Sequence, residues 1–325
     1  MASLRQIRAQ IRSIQNIGKI TRAMEMVSAS KLKRAQSRLF AVRQVTQYLA
    51  TLMERVAPAL AAAQYPLTPP PVGGRSSSDR AMQRSRPLVG PTGGGVTRPA
   101  MEHPKQLVII LGSDTGLCGS YNERLMDAAL QVLERARRDT ASVAVVGKRT
   151  ERMLRLSAEA LAKAGRTPYT VVERWLGWAG RPDPARATLI REYALAQFRD
   201  GAADVVSCAY MRFKSSMSYV PTIEQLLPIA VPTANDIAYP IDYIYEPTKE
   251  RALAAVLEEW LRLKVWVTLL EAFTSEHSAR MITMRNATDN AGELVGELTL
   301  TRNKVRQAGI TRELADIVGT AEALK

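Results

Sequence analysis

Apolar positions at both ends of the chain fall on narrow, helix-spaced stripes. Near the N-terminus Leu4, Ile7, Ile11 and Ile14 recur at three- and four-residue steps. After a step at Ile17 the pattern resumes at Ile20, Met24 and Val27 and continues through Leu32, Ala35, Leu39, Val42, Leu49, Leu52 and Val56. Near the C-terminus Met284, Ala287, Ala291, Leu294, Leu298, Val305 and Ala308 keep a heptad-like spacing, and a shift then gives Ile310, Leu314, Ile317 and Ala321. A narrow apolar stripe on an otherwise polar rod is the pattern of a two-helix coiled coil. All 17 prolines lie between Pro58 and Pro247. Proline removes a helical hydrogen bond and clashes with the preceding turn, so the proline-free ends are expected to be two long helices flanking a compact middle. If helical throughout, residues 248–324 would span roughly 115 Å, more than any one globular domain needs. The two helices are expected to pair antiparallel, with Ala287 and Ala291 allowing close approach. Between Leu253 and Phe273 the chain is apolar on most sides and carries Trp260 and Trp266, which predicts packing against the middle domain.

The middle alternates between strand and helix periodicities. Strands are expected at Gln106–Leu111, Val143–Val146, Thr170–Trp175 and Asp204–Tyr210. Helices are expected at Tyr121–Arg138, Thr150–Ala164 and from about Ala185 to Phe198. This repetition predicts an α/β domain with a small, Rossmann-like, mostly parallel sheet covered by helices. Between Tyr65 and Pro104, 18 residues are Pro, Gly or Ser. Such a segment buries too little apolar surface to offset its ordering entropy. The expected division is therefore 1–64 as an N-terminal coiled-coil helix, 65–104 as a flexible insert, 105–247 as a central α/β domain and 248–325 as a C-terminal coiled-coil helix.

Charge adds a partner to this picture. The formal net charge is +14 over 325 residues, and residues 1–57 alone hold 11 Lys and Arg against two Glu. Lys31, Lys33, Arg34 and Arg38 form the densest cluster. An excess of that size predicts an acidic partner surface, whether nucleic acid, anionic membrane or protein. Aromatic residues make up only 6%, few for a base-stacking platform. Two cysteines, Cys118 and Cys208, in apolar strand-like surroundings predict reduced thiols rather than a disulfide framework. With only His103 and His277 available, no familiar zinc spacing arises. No run of 18 apolar residues occurs, so direct membrane insertion is not expected.

Leu111-Gly-Ser-Asp-Thr-Gly-Leu-Cys-Gly119 is the most motif-like segment, a glycine-rich turn between strand and helix where phosphate cradles occur. It lacks the Lys-Ser/Thr ending of a P-loop and the dinucleotide glycine spacing, and a tight turn accounts for its glycines. Cys118 reads as a small buried thiol, His277 as a helix-surface histidine, and no two carboxylates form an acid/base pair. No catalytic residue, cofactor site or metal site is expected. Two rival functions remain at this point: a basic coiled-coil nucleic-acid-binding protein, and a nucleotide-dependent enzyme built on the middle domain.

The residues themselves narrow the choice. Ile17-Gly-Lys-Ile-Thr-Arg-Ala-Met-Glu-Met-Val-Ser-Ala-Ser-Lys31 resembles the N-terminal helix signature of gamma subunits of F-type ATP synthases. Ala279-Arg-Met-Ile-Thr-Met-Arg-Asn-Ala-Thr-Asp-Asn290 and Asn303-Lys-Val-Arg-Gln-Ala-Gly-Ile-Thr-Arg-Glu-Leu-Ala-Asp-Ile-Val-Gly319 resemble the family's C-terminal helix. Gly116-Leu-Cys-Gly119, Val220-Pro-Thr-Ile-Glu-Gln-Leu-Leu-Pro228 and Asp242-Tyr-Ile-Tyr-Glu-Pro247 are similar to its middle segments. The resemblance implies a non-catalytic central-stalk rotor that couples ion flow through a membrane sector to ATP synthesis or hydrolysis on the beta subunits. It implies a coiled coil standing in a ring of alpha and beta subunits, and a foot joined to the epsilon subunit and the c-ring. It implies no cofactor, no nucleic acid and a peripheral place on the cytoplasmic face of a bacterial cell membrane. By the same resemblance Met24 would meet the beta subunits' lever segment, while Arg280, Gln307, Thr311 and Glu313 would make polar contacts with the ring. Tyr243 and Glu246 would lie in the foot, and the tip around Ile317 and Ala321 in an apolar bearing. Arg280 is expected on the outside of the coiled coil, hydrated or paired with a partner, because Met284 and Ala287 define the seam.

Overall fold

The computed structural model describes residues 4–62, 67, 104–135, 141–163, 169–178, 180–230 and 243–323. Two long helices dominate: α1, Leu4–Ala62, of 59 residues, and α5, Lys249–Ala323, of 75 residues. At 1.5 Å per residue α5 is roughly 110 Å long. Between them lie β1 (Gln106–Leu111), α2 (Tyr121–Arg135), β2 (Ala141–Val146), α3 (Lys148–Lys163), β3 (Thr170–Trp175), α4 (Pro184–Arg199), β4 (Val205–Ser215) and β5 (Ser218–Leu227). The expected insert at 65–104 falls outside the described residues except at Leu67 and Pro104. Leu67 is buried and its carbonyl accepts a bond from the Ile229 amide at 2.7 Å.

The chain divides into two compact units, and both long helices are shared between them. One unit comprises Met1–Leu32, Leu117–Gly119 and His277–Lys325. The other comprises Lys33–Gly116 and Ser120–Glu276.

The larger unit is built on a five-stranded sheet of order β3-β2-β1-β4-β5. β1 pairs in parallel with β2 and β4, and β2 with β3. β4 and β5 form an antiparallel hairpin. β5 was not expected from periodicity, because Pro221 interrupts it and its side chains alternate only weakly. As an edge strand it has an outward side where a missing N–H costs nothing. The sheet's core reads as continuous apolar runs, Leu107–Leu111 and Val143–Val146, because both faces are covered. Leu107, Ile109, Leu111, Cys208 and Tyr210 share one cluster with Met53, Val56 and Leu60 of α1, Ile190 and Ala194 of α4, and Leu253, Leu257, Leu261, Val265 and Leu269 of α5. The apolar stretch of α5 thus packs on the sheet as its composition predicts. α4 starts where Asp183 accepts a bond from the Ala185 amide at 3.0 Å, with Pro184 as its first residue.

In the smaller unit α1 and α5 form an antiparallel coiled coil. Thr21 meets Thr288, and Gly18 stands against Ala291. Stepping back three residues on one helix therefore steps forward three on the other. The α1 seam differs from the expected one. Ile7, Ile11, Thr21, Ser28 and Leu32 are buried, and Ile14 and Gly18 are half-buried. With half-buried Glu25 between Thr21 and Ser28, these positions alternate four- and three-residue steps with no phase shift. Ile17, at 52% exposed, and Ile20, at 60%, lie outside the seam, as does Val27. On α5 Leu294 and Ala308 are exposed, and the seam passes through Met284, Thr288, Ala291, Val295, Leu298 and Val305. Ranking positions by apolarity chose large side chains, whereas a closely approaching helix pair selects small ones: Gly18, Thr21 and Ser28 leave room that isoleucine would fill.

Candidate partner-binding surfaces

α1 gives the smaller unit two unlike faces. Its basic side chains, Arg5, Arg8, Arg12, Lys19, Arg22 and Lys31, are all exposed. Ile17, Ile20 and Val27 form a second apolar row, also exposed, with half-buried Met24 between them. Leaving isoleucine and valine in water forgoes about 1.5–3 kcal/mol per side chain, so a row of them in helical spacing marks a contact surface rather than a solvated face.

The end of α5 carries a third surface. The Thr21–Thr288 and Gly18–Ala291 register brings Leu4, the first described residue of α1, beside Val305. α5 continues to Ala323. Along this extension Ile310, Leu314, Ile317 and Val318 are exposed. Gln307, Thr311 and Glu313 are exposed as well, and the Thr311 hydroxyl donates to the Gln307 carbonyl at 3.0 Å. These three polar residues share one stretch of open helix with the apolar row. The side chain of Ala321 lies outside the described residues.

Arg280 does not face outward. It is only 7% exposed, and its Nη1 lies 3.4 Å from Nδ1 of His277, itself buried. A guanidinium can only donate, so the His277 Nδ1 facing it acts as acceptor. The expectation of a hydrated Arg280 and a helix-surface His277 is therefore corrected. The heptad argument treats α5 as touching only α1, but every residue from Thr268 to Arg280 is buried, so this stretch has no outer face.

In the larger unit Tyr243 is half-buried, packed at the edge of the core cluster, and its hydroxyl raises the pKa of the neighbouring Arg55 guanidinium. Glu246 is exposed. Between them Ile244 is 93% exposed, and Lys249 lies 5.6 Å over the Tyr245 ring. The segment thus presents an apolar tip beside a carboxylate, a combination the sequence did not signal because Ile244 reads there as one more strand-former.

The glycine-rich turn after β1 is closed by its own protein groups. A Cβ on Gly112 would sit 1.7 Å from Oγ1 of Thr150. The Ser113 amide reaches Oδ1 of Asn122 at 3.2 Å and Oγ1 of Thr150 at 3.1 Å, and all three side chains are buried. Asp114 Oδ1 accepts from the amides of Lys148 at 3.0 Å and Gly177 at 2.8 Å. A carboxylate thus occupies the N-terminus of α3, where an anion would otherwise bind. Gly147, at φ 102°, would bring a Cβ to 2.6 Å from the Ser113 backbone, so its missing side chain serves close packing. Among the described residues no group of His, Cys, Asp and Glu could hold a metal ion, and no helix is long and apolar enough to cross a membrane.

Comparison with known proteins agrees with this arrangement. A family model described as ATP synthase matches residues 3–324. ATP synthase gamma chains from Geotalea daltonii and Moorella thermoacetica are each 35% identical, over the whole of both chains. One from Herpetosiphon aurantiacus is 34% identical over 100% of this chain and 99% of its own. Among solved structures, a chain of the Euglena gracilis mitochondrial ATP synthase OSCP/F1/c-ring matches with a TM-score of 0.60 at 18% identity. It covers 99% of this chain and 94% of its own. A chain of the Tetrahymena thermophila mitochondrial ATP synthase central stalk/c-ring matches with a TM-score of 0.51 at 22% identity over 82% and 99%. At those identities the structures speak for the fold. The full-length match to the family and to its gamma chains decides the rest: this chain belongs to the ATP synthase gamma family.

Proposed function

We propose that this chain is the turning shaft of a rotary ATP synthase, standing in a ring of alpha and beta subunits and joined at its foot to the epsilon subunit and the c-ring. The observation that carries the reading is the coiled coil itself. Its seam is tight, yet the end of α5 leaves Ile310, Leu314 and Ile317 exposed, while the flank of α1 leaves Ile17, Ile20 and Val27 exposed. A helix pair with three unlike exposed surfaces touches three surrounding subunits differently at any one angle. Each subunit is then biased toward a different conformation and nucleotide affinity, and turning the shaft exchanges those states. Coupling of this kind needs differential contact free energy between states, not chemistry on the shaft.

In this reading Met24 lies in the apolar row that meets the beta subunits. Gln307, Thr311 and Glu313 make polar contacts with the ring, and the tip beyond them turns in an apolar bearing. Tyr243 and Glu246 belong to the foot, where exposed Ile244 docks on epsilon or the c-ring. Arg280 supports the shaft from inside through His277 rather than touching the ring. The chain itself does not catalyse: its one phosphate-cradle-like turn is filled by Asp114, Ser113, Asn122 and Thr150. It sits peripherally on the cytoplasmic face of a bacterial membrane, held there by its partners.

The test is reconstitution. Complexes assembled with this chain should show ATP-driven ion uptake in vesicles, and complexes assembled without it should not. The purified chain alone should show no ATP turnover. Assembly and full ion pumping without the chain, or turnover that tracks the purified polypeptide, would overturn the reading.

A further inference from the structure

Within the larger unit one group of charges joins four elements. On α5 the Glu271 side chain is only 7% exposed. Its Oε1 accepts from Nη2 of Arg43 on α1 at 2.6 Å, and the same Nη2 donates to the carbonyl of Phe213 on β4 at 2.8 Å. Its Oε2 is buried without a hydrogen-bond partner, and Nε of Arg212 on β4 stands off at 3.9 Å. Nη2 of Arg212 also lies 3.5 Å from Glu224 Oε1 on β5. Lys264 on α5 donates to that oxygen at 2.5 Å, and the Tyr210 hydroxyl on β4 donates to the other at 2.9 Å. Arg212 thus sits between two carboxylates without a short bond to either, steadied by Nε and Nη2 contacts of 3.2 Å to the Tyr210 hydroxyl.

We propose that Glu271 is a positioning residue that fixes the rotational phase of α5 and α1 against the β4–β5 hairpin, with Arg212 as the contact that tightens or loosens as torque passes from the sheet to the helices. This rests on the reading of the chain as a rotary shaft. A helix twisting under load moves its side chains along an arc. Closing 3.9 Å to an ordinary bond of about 2.9 Å requires about 1 Å of travel, which at a radius of about 6 Å is a turn of about 10°. Turning one way satisfies the orphaned Oε2, and turning the other way opens its gap to Arg212 further. An ionic joint with one short bond and one open one therefore resists rotation while allowing a limited, reversible yield.

The test uses the assembled complex. Glu271→Gln keeps the shape and one acceptor but removes the charge, and Glu271→Asp keeps the charge on a shorter arm. The expected result for Glu271→Gln is normal assembly and ATP turnover, with ion uptake per ATP reduced at least twofold against a steep opposing gradient and unchanged without one. Glu271→Asp should recover part of the loss. Arg212→Gln, which leaves the short Arg43–Glu271 bond in place, should reproduce the load-dependent loss, and it decides the matter if Glu271→Gln fails to assemble. Load-independent pumping equal to the unmutated complex in Arg212→Gln, or in an assembled Glu271→Gln, would overturn the proposal. Failure of the unmutated complex to pump would instead overturn the rotary reading.

Discussion

The hydroxyls of Thr21 and Thr288 meet at 2.8 Å across the seam of the coiled coil. Each also faces a carbonyl of its own helix, Thr21 that of Gly18 at 3.1 Å and Thr288 that of Met284 at 2.8 Å. Two hydroxyl protons serve three acceptor contacts. Whichever threonine donates across the seam gives up the bond to its own helix carbonyl. Sliding the helices by one heptad would set Thr21 against Val295 or Met281, neither of which offers a hydroxyl, so the pair helps set register as polar seam residues do elsewhere. Thr21→Val and Thr288→Val should each cost about 1 kcal/mol. The double substitution should cost less than their sum by at least about 0.5 kcal/mol, measured by denaturant unfolding of the purified chain. Strict additivity would mean the contact contributes nothing.

Arg280→Ala should behave as a core substitution. A solvated arginine could be removed for less than about 0.5 kcal/mol. Here the guanidinium is buried, and its loss leaves buried polar neighbours including His277 Nδ1, at about 1–3 kcal/mol. The midpoint of unfolding should fall accordingly, and an unchanged midpoint would show that Arg280 is hydrated in solution.

Gly112→Ala should destabilise the sheet by about 1–3 kcal/mol through overpacking, since the new methyl would collide with Thr150. The same substitution at Gly116, which meets nothing within 4 Å, should be far milder. Comparing the two unfolding curves tests whether the turn's glycines serve packing position by position.

Glu224 supplies a pH dependence. Burial works to raise its carboxyl, but Lys264, Tyr210 and Arg212 outweigh it and hold the pKa below the ordinary 4.5. The folded chain therefore holds this proton less tightly than the unfolded one. The stabilisation is complete above about pH 4.5 and is lost as pH falls through the lower folded value. Lys264→Met should weaken this acid-side dependence, read as unfolding midpoint against pH.

Both cysteines should resist thiol reagents. Cys118 and Cys208 are buried, and the Cys208 thiol is pushed well up, first by burial and then by the charge of Glu224. Thiolate is the reactive form, so labelling at pH 8 should wait on unfolding. Rapid labelling of the folded chain would contradict this packing.

Much of this protein was legible in one dimension. Proline confined to the middle fixed where long helices could lie, because a single proline breaks the helical ladder wherever it falls. Continuous apolar runs located β1 and β2, and Thr170–Trp175 was bounded correctly at both ends. The signatures at Ile17–Lys31 and Ala279–Asn290 identified the family. What the sequence could not decide was which residues face which neighbour. Apolarity nominated Ile17 and Ile20 for a seam that belongs to Gly18 and Thr21, since the distance between two helices is a property of the pair and not of either sequence. The heptad seam through Met284 and Ala287 placed Arg280 outside, but burial of the whole stretch Thr268–Arg280 places it inside. Strand β5 forms despite Pro221 because it lies at an edge, and an edge exists only once the order of strands is set. The Glu271 cluster draws on α1, β4, β5 and α5, segments separated by up to 228 residues, and only the tertiary fold brings their charges within reach of one another.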